Sequence, residues 1–530
     1  MKSQIDIHKP IFLSGPMGSG KSSVAKVLAC ALGVDLIDLD ARIAERVGMS
    51  VQDFFDREGE AAFRKHEHDL VSELVNSMQR GVVALGGGTV TSQALRRKLI
   101  DAGYVVSLRA SAAALSKRAS SEGGRPLLSG KDAFAVLSSL LKEREGAYAE
   151  CHLRVDTDNL SVEQVCEVIL SGLGPKIVPV LLSERSYQVR IGFGLRRELN
   201  AHRDLLNASS VIGVSDSNVA ALWAEPVFKS ISGTVKSTRL VTLLAGEVYK
   251  TIDSVQQIWD AALEGSIDRE ALMLGIGGGV VGDLAGFAAS TLLRGIRFGQ
   301  LPTTLLSMVD SAVGGKTGFD RKQGKNLIGS FYQPSFVLCD IESLSTLPDE
   351  EYRSGLAEVV KSAWLDSEAS VAALESDSQA LNGKDPSAIE RAVYMSVALK
   401  ARIVSEDEHE SGARKLLNLG HTLGHAIEAR QGFAGYRHGE AVALGMVAAM
   451  RLSARLNKGS VQDEKRLVAL LSSLGLPTAV DPWLDEKTFA FIKSDKKMAH
   501  GKIHFVLPGV PGQTEICELE LEQVQRKLSP

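Results

Sequence analysis

The sequence predicts an α/β protein that becomes mainly α-helical toward its C-terminus. Three observations predict it. Apolar strand-like runs alternate with longer helical patterns as far as about Pro348. Two segments rich in glycine and lysine follow strand candidates, one at Gly15–Ser23 and one spread from Gly275 to Asn326. After Pro348 the pattern changes to long helices rich in Ala and Leu, such as Val393–Val404 and Glu440–Leu456. That segregation marks a separate helical domain. A chain of 530 residues has room for about three or four domains.

Ile11–Ser14 is a short buried-strand candidate that leads into the first glycine loop, and Ser22–Leu32 reads as the helix after it. Gly81–Leu85 and Val105–Leu108 are further strand candidates. Val162–Leu170 closes the block as a helix, with Ser161 placed to cap it. The breaker-rich SGLGP, Ser171–Pro175, then marks a linker. A second α/β block opens near Tyr187, with strand candidates at Ser210–Val214, Val241–Ala245, Leu272–Ile276 and Phe336–Asp340. The expected organisation is a first domain over 1–172, a linker over 173–186, an α/β domain over 187–348 and a helical domain over 349–530.

Composition narrows the function classes. The chain is 44% apolar and 23% charged, so sizeable cores can form. A net charge of −4 with no long basic run argues against nucleic acid as the main partner. The five cysteines are scattered with no CxxC pair, which points to neither a disulfide framework nor a cysteine-bound zinc. MKSQIDIHKP lacks the apolar core of a secretory leader, and no uncharged apolar run is long enough to span a bilayer. A reducing cytoplasm is the expected location, with no membrane partner.

The first glycine segment, GPMGSGKSS, has the spacing of a nucleotide phosphate-binding P-loop between a strand and a helix. Gly15, Gly18 and Gly20 allow a tight turn whose N–H groups, with Ser19, surround phosphate oxygens at a helix N-terminus. Lys21 reaches the outer phosphates, and Ser22, followed by Ser23, is placed to hold Mg²⁺. In IDLD, strand alternation puts Asp38 and Asp40 on one face toward the phosphates; taken alone, Asp38 also suits a helix cap before Ala41. FRKHE (63–67), LGGGTV (85–90), GGRPLL (123–128) and ERE (143–145) follow.

Those motifs, in that order, resemble shikimate kinase over residues 8–172. The resemblance implies a three-layer P-loop kinase fold around a parallel sheet, with ATP and Mg²⁺ bound and shikimate as acceptor. It implies that Asp38 holds Mg²⁺ through water and that Asp40 orients the acceptor hydroxyl and takes its proton. Arg64 and Arg144 clamp the acceptor carboxylate, for which a guanidinium fork is suited. Gly86, Gly87 and Gly88 let the backbone approach the acceptor ring. Arg125 closes on a lid over about 119–131 and neutralises the transferring phosphoryl group. Arg118 stacks on adenine. Gly146, where the family usually has proline, is a departure that removes no reacting group.

The second segment, GIGGGVVGD, contains GxGxxG but lies too deep in its block for a simple dinucleotide fingerprint. Its neighbours carry more: Asp283, Arg294, Asp310, Lys316, Lys325 and Asn326, then LAEVVK (356–361), NLGHTLGHAIE (418–428), RHGE (437–440) and DKK (495–497). His421 and His425 are four apart on one helix face, the spacing of a zinc helix, although packing is the commoner fate of such a pair. Glu358 and His438 complete a one-carboxylate, two-imidazole set if the fold joins them, a pattern that leaves a coordination position open.

From about Tyr187 onward the chain resembles 3-dehydroquinate synthase, through GGGVVGDLAGF, RGIRFGQLPTTLLSMVDSAVGGKTG, GKNLIG, GLAEVVK and NLGHTLGHAIE. The resemblance implies that Glu358, His421 and His438 bind Zn²⁺ or Co²⁺ while His425 contacts substrate. It makes Asp216, Glu247, Lys250, Gly278, Gly279, Asp283, Thr303 and Thr304 contacts for NAD, with Lys325 touching both NAD and substrate. It makes Arg294, Asp310, Lys316, Asn326, Lys361, Lys400, Arg414, Asn418 and Lys496 or Lys497 the cradle of 3-deoxy-arabino-heptulosonate 7-phosphate. A substrate with a carboxylate and a phosphate calls for several cations. The implied chemistry oxidises a hydroxyl transiently, eliminates phosphate, returns the hydride and closes a carbocycle. The resemblance also implies a homodimer through this half. The expected protein is a two-enzyme fusion. The alternatives are another sugar-phosphate cyclase in the second half, disfavoured by Lys361, Arg414 and Asn418, and a non-catalytic nucleotide-binding first half, disfavoured by Asp40, Arg64 and Arg144.

Overall fold

The structure, a computed structural model, describes residues 9–77, 80–121, 132–173, 176–201, 206–265, 267–432, 435–493, 498–499 and 502–528. It divides into two compact units, Met1–Gln188 and Val189–Pro530. Arg125, Lys496 and Lys497 lie outside the described residues.

The first unit is built on five parallel strands, β1 (Ile11–Ser14), β2 (Leu36–Asp38), β3 (Val82–Ala84), β4 (Tyr104–Arg109) and β5 (Leu153–Asp156), in the order β2-β3-β1-β4-β5. Side-chain alternation sends successive residues of each strand to opposite faces. Ile11 and Leu13 join one apolar cluster with Val24 and Leu28 of the first helix, while Phe12 joins a second with Leu39, Ile43 and Phe63. Two cores on two faces make the three layers. The central strands read as continuous apolar runs because helices cover both sides.

Local signals account for most of the helix ends. The helix Lys21–Leu32 starts after Gly20, with φ 90°, and stops at Gly33, with φ 63°. The closing helix Val162–Gly172 begins with a capping box between Ser161 and Gln164. The IDLD expectation needs correction. The strand ends at Asp38, and Asp40 lies in the first turn of a helix, Leu39–Val47. Asp38 caps that helix, its Oδ1 accepting from Ala41 N at 3.3 Å. A helical turn, not strand alternation, places the two carboxylates.

The second unit opens with β6 (Tyr187–Gly192), which straddles the division. Then come β7 (Ser210–Asp216), β8 (Ser237–Leu243), β9 (Leu272–Gly277), β10 (Arg297–Pro302), a hairpin β11–β12 (Lys316–Arg321 and Gly324–Phe331) and β13 (Phe336–Asp340). From β6 the main sheet runs β6-β13-β10-β9-β7-β8. The expected strand Val241–Ala245 is shifted toward the N-terminus. At the sheet edge the parallel ladder with β7 recruits Ser237, Thr238 and Arg239, and it ends at Leu243. Polar edge residues carry no apolar signature, so the sequence pattern misses them.

Long helices follow, including Asp349–Asp366, Pro386–Glu406, His421–Arg430 and His438–Arg455. A small antiparallel sheet interrupts them late, with Lys502–Pro508 pairing to Thr514–Glu520. His504 lies in that sheet. Among the described residues no helix is long and apolar enough to cross a membrane.

Candidate active sites

In the first unit the glycine loop leaves β1 and wraps the start of the following helix. Gly15, with φ 140°, cannot carry a side chain: a Cβ would stand 2.4 Å from the Leu108 carbonyl oxygen. Lys21 Nζ folds back to donate to Gly15 O at 2.9 Å and Pro16 O at 3.0 Å. Ser22 Oγ donates to Asp38 Oδ2 at 2.6 Å, so Asp38 is at once a helix cap and the partner of the expected Mg²⁺ hydroxyl. Asp40 is held above the usual carboxylate range, first by burial and then by the charges of Asp38 and Glu67, against the pull of Lys21 and Arg64.

A cavity of about 730 Å³ brings these groups together with Ser19, Ser23, Arg64, Arg118, Arg144 and the loop Gly86–Gly88. Arg64 pairs with Glu67 at 2.8 Å and Glu60 at 3.0 Å. Glu67, fully buried, accepts from Thr89 Oγ1 at 2.5 Å. This gives the glycines a second reason: a Cβ on Gly88 would lie 2.2 Å from the Arg64 guanidinium, and one on Gly86 2.6 Å from Glu67 Oε1. Gly87 serves through its carbonyl, which accepts from Arg144 Nη1 at 3.2 Å and Tyr148 OH at 2.7 Å. Arg144 Nε and Ser19 Oγ are buried with no hydrogen-bond partner among the described residues. Arg118 donates to Thr157 O at 2.6 Å, Thr157 Oγ1 at 3.1 Å and Gly18 O at 3.4 Å, which fixes it beside the phosphate loop.

In the second unit the expected NAD residues gather at the carboxyl ends of parallel strands, where open α/β sheets bind ligands. Asp216 ends β7 and accepts from Asn218 N at 2.9 Å. Gly278 follows β9 and caps the helix Gly279–Thr291, which carries Asp283. Thr303, after β10, donates its N–H to Gly277 O at 2.9 Å, and its Oγ1 is buried without a partner among the described residues. Thr304 Oγ1 donates to Ser307 Oγ at 2.8 Å. Lys250 bridges to Asp283 at 2.6 Å and to Asn326 Oδ1 at 2.6 Å. Asn326, expected in the substrate cradle, thus contacts Lys250 of the expected NAD set, and its φ is 52° in the β11–β12 hairpin. Lys325 pairs with Glu247 at 3.3 Å.

The remaining groups come from the later α/β segments and from the helices that follow them. Asp310 sits in a single π-turn, Ser307–Ser311, the kind of irregularity that re-aims a side chain. Its carboxylate pairs with Lys400 Nζ at 2.6 Å. Burial opposes the charge on Asp310, but Lys400 and Lys361 outweigh it and hold the group well below the usual range. Lys400 is pulled down to about 8, by burial first and then by Arg414 and Lys361, against the attraction of Asp310. Lys316 pairs with Glu410, whose Oε1 also accepts from Asn418 Nδ2 at 2.7 Å. Arg414 donates to Gly314 O at 2.9 Å, and its own N–H bonds Asp407 at 3.0 Å. Arg294 lies exposed in the turn Leu292–Arg294 with φ 67°, and no described hydrogen bond or ion pair joins it to the cradle.

Glu358, His421 and His438 converge. His421 Nε2 and His438 Nε2 stand 3.7 and 3.8 Å from Glu358 Oε1. Their other ring nitrogens are taken: His421 Nδ1 meets Leu419 O at 3.1 Å, and His438 Nδ1 meets Glu428 Oε2 at 3.3 Å. Glu358 is 1% exposed; its Oε2 is ion-paired with Lys361, and its Oε1 faces the two imidazoles. A buried carboxylate faced by two imidazoles whose other nitrogens are anchored fits a divalent ion of the zinc type. His425 packs beside both imidazoles, with ring centroids 5.3 Å from His421 and 5.9 Å from His438, and with Glu428 and His438 it makes a second possible ligand set.

Reasoning from sequence assigned no role to Glu67, Glu410 or Glu428. Two had a signal. Glu67 is three residues from Arg64, and Glu428 is three from His425 on one helix face. Glu410, with φ 60°, belongs to an irregular loop and had none.

Fold and sites together define a nucleotide-dependent phosphotransferase unit followed by a unit that pairs a dinucleotide crevice with a metal centre. A family model for shikimate kinase matches residues 17–173, and models for the N-terminal and C-terminal parts of 3-dehydroquinate synthase match 240–354 and 355–498. The chain is 42% identical over 344 residues to a 3-dehydroquinate synthase of Saccharophagus degradans, covering 65% of this chain and 95% of the relative. A solved 2-deoxy-scyllo-inosose synthase, complexed with carbaglucose-6-phosphate, NAD+ and Co2+, is 25% identical with a TM-score of 0.61, covering 67% of this chain and 99% of that one. A 2-epi-5-epi-valiolone synthase from Streptomyces hygroscopicus, with NAD+ and Zn2+, is 26% identical with a TM-score of 0.59, covering 66% and 97%. The chain belongs to the 3-dehydroquinate synthase family and carries a shikimate kinase ahead of it, so it is a two-enzyme fusion.

Proposed function

We propose that Asp40 takes the proton of the shikimate hydroxyl that attacks the γ-phosphoryl group of ATP. Burial and neighbouring carboxylates raise its basicity toward the working range. Arg64 and Arg144, both lining the cavity, hold the acceptor carboxylate. Lys21, Ser22 and Asp38 hold the phosphates and Mg²⁺, with Arg118 at the nucleotide side.

In the second unit Glu358, His421 and His438 hold a zinc or cobalt ion, and the buried Glu358 carboxylate carries this reading. When bound, the ion supplies a Lewis acid for a substrate hydroxyl. NAD, when bound by Asp216, Gly278, Gly279, Asp283 and Thr303, supplies a hydride acceptor that is restored each cycle. Lys361, Lys400, Arg414, Lys316 and Asn418 hold the substrate's anionic groups while phosphate is expelled. His425 positions substrate beside the metal centre. The second half acts as a dehydroquinate synthase and not another cyclase: identity to that family is 42%, against 25 and 26% to the cyclases.

The proposed domains are 1–172, 187–348 and 349–530. Dimerisation through the synthase half and a cytoplasmic location belong to the same reading, and the thiol state of all five cysteines suits a reducing compartment. Both activities are measured on one preparation, as ATP consumption dependent on shikimate and as phosphate release from the heptulosonate with NAD. A strong chelator abolishes phosphate release, and after its removal with Mg²⁺ restored the kinase is intact. Phosphate release that survives full metal depletion contradicts the metal assignment.

A further inference from the structure

The chain just past the kinase fold returns to pack on the helix that carries Arg144. Ser183–Arg185 make a single tight turn, with Ser183 at φ 55°. Ser186 closes the turn: its Oγ accepts from Leu182 N at 2.8 Å, and its N–H donates to Ser183 O at 3.1 Å. Arg154 ties it down, donating to Ser186 O at 2.9 Å and to Ala149 O at 3.0 Å, at the end of the helix Ala133–Ala149. All of these residues lie within the first compact unit.

Two contacts couple the turn to the acceptor side of the kinase. The first is Gly146, in the last turn of that helix. A Cβ there would stand 2.1 Å from Ser183 Oγ and 3.5 Å from Glu184 N, so the turn sits where a larger residue would put its side chain. The second is Glu150, which caps the same helix. Its Oε1 accepts from Ser183 N at 3.3 Å, and its Oε2 accepts from Arg96 Nε at 2.6 Å in a pair almost closed to solvent. Arg96 Nη1 then donates to Val90 O at 2.6 Å and Thr91 O at 3.0 Å, directly after Gly86–Gly88. The same helix reaches that loop through Arg144 and Tyr148, both on Gly87 O. Turn, helix and glycine loop form one hydrogen-bonded chain with a nearly buried ion pair at its centre, an arrangement that is costly to break on one side.

We infer that residues 182–186 act as a strap that positions the shikimate side of the kinase, with Gly146, Ser183 and Glu150 as positioning residues. The inference rests on the reading that Arg144 and the Gly86–Gly88 loop hold shikimate. The segment that joins the kinase to the synthase then serves the kinase as well as linking it. Its predicted signature is in acceptor binding, because the chain of bonds from the strap reaches Val90 and the helix it packs on reaches Gly87.

The test uses full-length protein and Gly146→Ala, Ser183→Gly and the double variant. Alanine is the better helix former, so Gly146→Ala keeps the helix and disturbs only the docked turn. The KM for shikimate should rise about fivefold, the size of a ~1 kcal/mol displacement of a packed group. The KM for ATP and phosphate release by the synthase should stay unchanged. Ser183→Gly alone should be near wild type, because the φ of Ser183 already suits glycine. Removing the Ser183 hydroxymethyl should return the double variant toward wild type. An unchanged KM for shikimate in Gly146→Ala overturns the strap, as does a parallel rise for ATP or a defect that Ser183→Gly does not relieve. A wild-type enzyme with no activity on shikimate overturns the functional reading itself.

Discussion

The kinase cavity and the synthase cradle handle charge in different ways. In the kinase, Lys21 on the phosphate side rests on backbone carbonyls and Arg144 on one carbonyl, while Arg64 on the acceptor side pairs with Glu60 and Glu67. In the synthase, five lysines already hold carboxylates: Lys250 with Asp283, Lys316 with Glu410, Lys325 with Glu247, Lys361 with Glu358, and Lys400 with Asp310. The difference follows from the ligand and from burial. ATP arrives with its own Mg²⁺ as counter-charge, so its site needs donors more than an internal salt. In the synthase Lys250, Lys361 and Lys400 are buried, where bare ammonium groups would be costly to keep desolvated. Internal carboxylates offset those charges.

The largest effect that sharpens this comparison is in the kinase. Asp40→Asn should lower shikimate phosphorylation by about 10²–10⁴-fold, the usual contribution of a placed general base, and leave phosphate release by the synthase unchanged. Equal kinase rates would remove Asp40 from its assigned role.

A smaller effect separates the sites by pH. Lys400 is held at about 8, well below the ordinary lysine range. As pH rises through 8 the folded cradle loses this positive charge, so kcat/KM of the synthase should fall on the alkaline side with an inflection near there. Lys400→Arg should move that limb upward, because guanidinium stays charged. Stability should move the other way. The folded value lies below the unfolded one, so between about 8 and the ordinary lysine range the unfolded chain holds the extra proton. This group's contribution to stability therefore rises with pH across that window. An alkaline limb unmoved by Lys400→Arg would assign it to another group.

Much of both sites was legible in the sequence because the chemistry sits in short segments. The P-loop spacing, FRKHE and NLGHTLGHAIE each place several groups on one turn or helix. What was not legible depended on tertiary pairing. IDLD read as alternation, but the helix begins at Leu39 and a turn orients Asp40. Val241–Ala245 read as a strand from its apolar residues, whereas the edge ladder selects Ser237–Leu243. Spacing alone offered His421 with His425; the set Glu358, His421 and His438 came from the resemblance, and it joins residues of three helices that no local pattern links. The bond between Lys250 and Asn326, 76 residues apart, likewise has no local pattern.

The most direct test of the central claim is elemental analysis of purified wild type and Glu358→Gln, with both activities measured on the same samples. The account predicts one tightly bound zinc or cobalt ion per chain in wild type. In the variant that ion and phosphate release from the heptulosonate are lost together, while shikimate phosphorylation is retained. Full metal content and full synthase activity in Glu358→Gln would contradict it.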